Sequence, residues 1–266
     1  MSNKIIEIKN LTKTFGGLKA VDIKDLKFER NKIISLIGPN GAGKTTFFDL
    51  ITGFTKQDSG IIKFEGKNIS NLESYKISRL GMVRTFQLTK VFDRMTVSEN
   101  ILFSASSLKN DRFINSLFIS SKKSKIEQEL DEKKNEVLNM VNLYHMKDSY
   151  ARELSGGQKK LLELARVIVQ KPKILLLDEP LAGVNPKLSE DILSLINTFV
   201  NEGVSVLMVE HNISAVMKVS DHIVVLAEGS VIAEGSSDEI RANEKVVSAY
   251  FGKFATLPLN SSVKEV

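Results

Sequence analysis

The chain contains no cysteine, which excludes disulfide frameworks, thiolate nucleophiles and cysteine-ligated metals and fits a reducing compartment. Long apolar runs are also missing. No stretch approaches the ~18 consecutive apolar residues of a membrane span, and the leucine-rich segment Leu175-Leu176-Leu177 is ended at once by Asp178. Any membrane process is therefore expected to be served from the water side. The opening residues, Met1-Ser2-Asn3-Lys4-Ile5-Ile6-Glu7-Ile8-Lys9, carry charge inside their apolar stretch and lack the core of a secretory signal, so the mature chain is expected to begin here. An excess of one sign of charge is slight as well: 37 basic against 32 acidic residues give +5, scattered rather than clustered, with little warrant for a nucleic-acid surface. What is present is 266 residues, 42% hydrophobic and 26% charged, enough for one sizeable core or two modest ones.

Apolar residues first recur in short alternation. From Ile5 to Phe64, the residues Ile6, Ile8, Phe15, Val21 and Ile23, broken by Gly16-Gly17 and charged turns, predict antiparallel strands. Within them Ile33 to Ile37 reads as a buried strand running into a glycine-rich loop, followed by a helix from Thr45 to Ile51. From about Leu88 to Tyr150 the spacing becomes helical, with Ile126, Leu130, Val137, Leu138 and Val141 on one face. Inside this region, residues 104–125 are rich in Ser, Lys and Asn around Phe113, Leu117 and Phe118, and read as an insertion with no assigned structure or chemistry. An α/β rhythm then resumes: a helix from Gly157 to Gln170, a strand Ile174 to Leu177, a helix with Leu188, Ile192, Leu195, Ile196 and Phe199 on one face, and a strand Val204 to Val209. The continuous apolar strands predict a parallel sheet covered on both sides. Ile223 to Ala233, turning at Glu228-Gly229-Ser230, predicts a hairpin. The chain carries no internal repeat.

Four strings carry chemistry. Gly38-Pro39-Asn40-Gly41-Ala42-Gly43-Lys44-Thr45 lies between strand and helix, where glycines let successive N–H groups turn inward around phosphate oxygens. Lys44 supplies a cation for β- and γ-phosphates, Thr45 a hydroxyl for magnesium, and Thr46 reaches toward the α-phosphate. Asp178-Glu179 ends an apolar strand, the place where open α/β sheets hold ligands. Two adjacent carboxylates need a cation between them, so Asp178 is assigned to hold magnesium through water and Glu179 to orient the attacking water. His211, after the apolar run Val206 to Val209 and Glu210, is placed at the same sheet edge as a γ-phosphate contact that keeps Glu179 and the water aligned; His145 and His222 are read as structural. Leu154-Ser155-Gly156-Gly157-Gln158 opens a helix, with Ser155 as its cap and the glycines exposing N–H groups at the positive end of the dipole. That is a second anion site. If the helical region projects away from the first, two subunits would sandwich two nucleotides, each pairing its own glycine loop with the other's Ser155 string.

Taken together these strings resemble the ATP-binding subunits of ABC transporters from Ile5 to about Tyr250. Gly81-Met82-Val83-Arg84-Thr85-Phe86-Gln87, Leu181-Ala182-Gly183-Val184-Asn185-Pro186 and Ala249-Tyr250-Phe251-Gly252 look most like the LivG-type component of branched-chain amino-acid importers. The resemblance implies an α/β P-loop ABC ATPase cassette with a RecA-like core (residues 1–87 and 157–252), an N-terminal antiparallel β subdomain, a helical signature subdomain over 88–156, and a tail over 253–266. It further implies ATP and Mg2+ as ligands, Gln87 sensing magnesium and the γ-phosphate, and Phe15 stacking on adenine; taken alone, Phe15 reads equally well as core. Ser155 and Gly157 would touch γ-phosphate held by the partner. Asn185 and Asn212 stand where the superfamily often has aspartate. The implied partners are a second cassette, a transmembrane permease and a periplasmic or extracellular substrate-binding protein, at the cytoplasmic face of the membrane. Rival readings are another transport substrate such as urea, an exporter of lipid or lipopolysaccharide, and a soluble ABC protein acting on nucleic acid or ribosomes. A small-molecule kinase or GTPase would share only the glycine loop.

Overall fold

The computed structural model describes residues 3–85, 91–106 and 120–251. Two sheets organise it. The first holds β1 (Lys4–Phe15), β2 (Leu18–Glu29), β4 (Ser59–Phe64) and β5 (Lys67–Asn68) in the order β2-β1-β4-β5, all antiparallel. Gly16 and Gly17, both at positive φ, turn β1 into β2, a backbone shape that matches the right-handed twist of paired strands.

The second sheet has the order β10-β9-β3-β8-β7-β6 and comprises β3 (Ile33–Ile37), β6 (Met82–Arg84), β7 (Ile174–Asp178), β8 (Ser205–Val209), β9 (His222–Ala227) and β10 (Ser230–Gly235). Its strands run parallel except for the β9–β10 hairpin. Side chains alternate across a strand, and each apolar run here feeds two cores. Ile33, Ile37, Leu175, Leu177, Val206 and Met208 face one, while Ile34, Leu36, Ile174, Leu176, Leu207 and Val209 face the other.

Helix α1 (Lys44–Ile51) packs Phe47 and Phe48 into the second of these cores, beside the antiparallel sheet. Among the described residues the other α-helices are α2 (Ser74–Arg79), α3 (Val97–Ser106), α4 (Ser120–Met140), α5 (Gly156–Ile168), α6 (Pro186–Asn201), α7 (Ile213–Val219), α8 (Ser237–Arg241) and α9 (Glu244–Phe251). On the opposite face of the sheet α5 and α6 bury Leu162, Ile192, Ile196 and Phe199, and Val97, Ile101, Leu138 and Val141 of the helical region join the same core. At the two ends of the predicted insertion over 104–125, Ser104 to Ser106 finish α3 and Ser120 to Lys125 begin α4. Ser104 is buried, donating to the Asn100 carbonyl (3.1 Å) and accepting from Arg166 Nε (3.1 Å), so its polarity serves packing rather than a loop. Phe113, Leu117 and Phe118, like Phe86, Gln87 and the tail 253–266, lie outside the described residues. Strand β6 is invisible to periodicity because three residues are too few to show a period.

Candidate functional site

Strand β3 delivers the glycine loop to the sheet edge, where its neighbours leave no room for a side chain at Gly38 or Gly43. A Cβ on Gly43, at φ 99°, would stand 2.3 Å from the Ala20 carbonyl oxygen, and one on Gly38 would stand 2.2 Å from that of Leu226. The loop is also gripped from outside. Gly229 N donates to the Ala42 carbonyl (3.0 Å), and Asp22 N donates to the Gly229 carbonyl (2.7 Å), so β2 and the β9–β10 turn brace it. No side chain caps α1 and no acid stands in its first turn, which leaves the positive end of its dipole for an anion. Lys44, 7% exposed, donates to the carbonyls of Gly38 (2.7 Å) and Pro39 (3.0 Å). Burial pulls its ammonium below the ordinary lysine range, against the opposing pull of the Glu179 and Asp178 carboxylates.

Around this loop lies a cavity of about 690 Å³ whose wall includes Phe15, Asn40, Lys44, Thr45, Glu179 and His211. Gly41, Ala42, Gly43 and Thr46 line it too. Phe15 is 50% exposed, so it is not a core residue, and its ring stands 5.2 Å from Lys13 Nζ. Glu179 has φ 51°, a left-handed conformation costing a non-glycine residue about 1–3 kcal/mol. Its N–H donates to the Val209 carbonyl (2.9 Å), and its Oε1 meets His211 Nε2 at 3.0 Å. The strained carboxylate and the imidazole thus come from the ends of two adjacent strands, β7 and β8.

Two residues that hold this arrangement escaped the sequence reading. Glu210, 3% exposed, accepts from the N–H groups of Leu181 (2.7 Å), His211 (3.0 Å) and Asn212 (3.4 Å), binding the loop after β7 to the loop after β8. Its one signal was a charge interrupting an apolar run. Arg84, at the end of β6, donates from Nη2 to Asp178 Oδ2 (2.8 Å) and from Nη1 to Asp49 Oδ1 (2.5 Å). The cation deduced for the Asp178-Glu179 pair is therefore supplied in part by the protein itself.

The Ser155 string opens α5 through a capping box. Ser155 Oγ accepts from Gln158 N (3.3 Å), and Gln158 Oε1 accepts from Ser155 N (2.9 Å). Ser155, Gly156, Gly157 and Gln158 line a separate cleft of about 600 Å³ with Gly183 and Asn185. Among the described residues none lines both this cleft and the glycine-loop cavity. Lys160 links the two regions by donating to the carbonyls of Ala182 (3.0 Å) and Glu179 (3.4 Å), and burial lowers its proton affinity. Asn185 caps α6 by accepting from Leu188 N, and Asn212 caps α7 by accepting from Ala215 N; asparagine and aspartate serve equally there. His145 is exposed in the turn Tyr144–Met146, and His222 stands 3.5 Å from Glu234, both away from the cavity.

Known proteins match this geometry along the chain. The family model for ABC transporters covers residues 21–182, and that for the branched-chain amino acid ATP-binding cassette transporter covers residues 230–256. The chain is 46% identical to the "Probable branched-chain amino acid transport ATP-binding protein LivG" of Archaeoglobus fulgidus, over 94% of this chain and 96% of that one. It is 42% identical to the "High-affinity branched-chain amino acid transport ATP-binding protein BraF" of Pseudomonas aeruginosa, over 95% and 100%. The crystal structure of the ADP conformation of MJ1267, an ATP-binding cassette of an ABC transporter, superposes with a TM-score of 0.80 at 37% identity, covering 95% of this chain and 100% of that one. The chain therefore belongs to the ABC transporter family, as one of its ATP-hydrolysing ATP-binding cassettes.

Proposed function

We propose that this cassette powers the import of branched-chain amino acids through a separate membrane permease, working at the cytoplasmic face and fed by a binding protein outside. The names of the LivG and BraF relatives support the substrate class. Among the described residues no helix is long and apolar enough to cross a membrane, in keeping with a permease on another chain. The observation that carries the mechanism is the separation of the two proposed anion sites: among the described residues the glycine-loop cavity and the Ser155 cleft share none. Two cassettes facing each other would let each loop hold a triphosphate against the other's Ser155 hydroxyl and its Gly156 and Gly157 N–H groups. A related second cassette is the favoured partner.

Within one site Lys44 would exchange its two loop carbonyls for phosphate oxygens, and Phe15 would offer its exposed ring to the base. The oxygen donors Thr45 and Asp178 fit a magnesium ion, which takes few protein ligands and completes its shell with phosphate and water. When bound, magnesium would neutralise charge building on the phosphates. Glu179, held by its backbone and by His211, would orient the attacking water and accept its proton. Gln87, outside the described residues, would serve as the sensor of magnesium and γ-phosphate. Binding would draw the cassettes together and hydrolysis would part them, moving the permease between its two openings. Replacing Glu179 by Gln should keep ATP affinity while turnover falls by ~10²–10⁴-fold, as measured by phosphate release and by equilibrium binding. Full turnover in that variant would remove Glu179 from the role. A γ-phosphate-labelled photoreactive ATP trapped in the assembled transporter should mark Ser155 of the opposite cassette; labelling confined to residues of the loop's own chain would refute the sandwich.

A further inference from the structure

Arg84 sits where three elements meet. Its backbone ends β6, Asp178 ends β7, and Asp49 lies on α1, the helix opened by the phosphate loop. The guanidinium spans the two carboxylates, with Nη1 2.5 Å from Asp49 Oδ1 and Nη2 2.8 Å from Asp178 Oδ2. The Arg84 side chain is 7% exposed, against 31% for Asp49 and 13% for Asp178. The Phe48 and Phe54 rings flank it at 5.4 and 5.9 Å. A planar fork with fixed donor directions, packed between rings, sets the position of whatever it binds. The contact is to Oδ2 of Asp178, which leaves Oδ1 for another partner.

We propose that Arg84 is a positioning residue for magnesium: it holds Asp178 by one oxygen, in register with the phosphate-loop helix, so that the other oxygen is held ready for the cation and its water shell. The inference rests on Asp178 being the magnesium-binding carboxylate proposed for this chain. It is distinguishable from two simpler roles. A purely structural arginine would leave magnesium binding untouched when replaced in a folded protein. An arginine acting only by its charge would oppose the cation, so its removal would tighten magnesium binding. Positioning predicts the reverse sign.

The test is the affinity of the full chain for a fluorescent ATP analogue, measured with magnesium and in EDTA. The ratio of the two affinities is the magnesium increment. In Arg84→Met the increment should fall about tenfold, the lower end for losing a group that orients a metal ligand, with affinity in EDTA unchanged. Arg84→Lys keeps the charge and is the milder test of folding; lacking the fork, it should also lose most of the increment. Asp49→Asn, which leaves the Asp178 pair in place, should lose less. An increment that is unchanged or enlarged in folded Arg84→Lys, while Asp178→Asn abolishes it, overturns the proposal alone. A full increment in Asp178→Asn would instead overturn the magnesium assignment of Asp178.

Discussion

At the scale of single residues, the site holds charge that the folded chain does not fully satisfy. Lys44 is buried with two carbonyls as hydrogen-bond partners and has its proton affinity lowered by desolvation. A triphosphate would give it charge-assisted bonds in their place. Replacing Lys44 by Met should therefore leave the melting temperature of the nucleotide-free protein unchanged or raise it. The same change should abolish the stabilisation by ATP, which for the parent is about 2.7 kcal/mol at a hundred times Kd. The sign with pH follows from the lowered value. Between the folded and the ordinary lysine pKa the unfolded chain binds more protons, so parent stability rises with pH relative to Lys44→Met, and the gap between them closes toward about pH 10. Paired denaturation curves at several pH values measure this; a gap that widens with pH would contradict the burial cost. Phe15 makes the complementary point, because its apolar character suits a core as well as a cavity wall, and only its half-exposed place in the cavity decides against the core.

At the scale of elements, the glycines divide by the space around them. Gly156 lies in the first turn of α5, where a Cβ would meet no atom within 4 Å, and its φ is not positive. Gly156→Ala should thus stabilise the fold by about 0.4–1 kcal/mol while impairing turnover, since its space would be needed by the nucleotide of the opposite cassette. Gly43→Ala should destabilise, as the added carbon meets the Ala20 carbonyl at a left-handed φ. Urea denaturation together with ATPase assays separates the two; a Gly156→Ala protein with full turnover in the assembled transporter would speak against a contact in trans. Most elements of the core were legible as runs of apolar residues: the predicted strand Ile174 to Leu177 is β7, and the predicted helix from Gly157 starts one residue earlier as α5. The capping box was legible because its partners are three residues apart. Arg84 and Asp178 are 94 residues apart, and Glu210 and Leu181 are 29. Such pairs are set by which strands lie side by side, and no local period encodes that.

At the scale of the whole molecule, one sheet separates and joins two cores. Phe47 fills the side facing the antiparallel sheet and Phe199 the side facing the helical region, both with no exposure. Because alternate residues of the same strands line both cores, damage on either side should be felt by the whole. Phe47→Ala and Phe199→Ala should each cost about 3–5 kcal/mol, and each variant should unfold in a single transition seen alike by circular dichroism and fluorescence of an introduced probe. Separate transitions would mean that the two sides unfold independently.

Local chemistry settled the glycine loop, the capped signature helix, the acidic strand end and the apolar runs, because each depends on backbone dihedrals and hydrogen bonds among residues a few positions apart. The tertiary structure alone decided that Phe15 faces the cavity, that Arg84 bridges Asp178 and Asp49, that His211 meets Glu179, and that the glycine loop and the Ser155 string line different clefts. These depend on strand order and on how helices cover the sheet, which bring distant residues within a few ångströms through packing that no short stretch of sequence specifies.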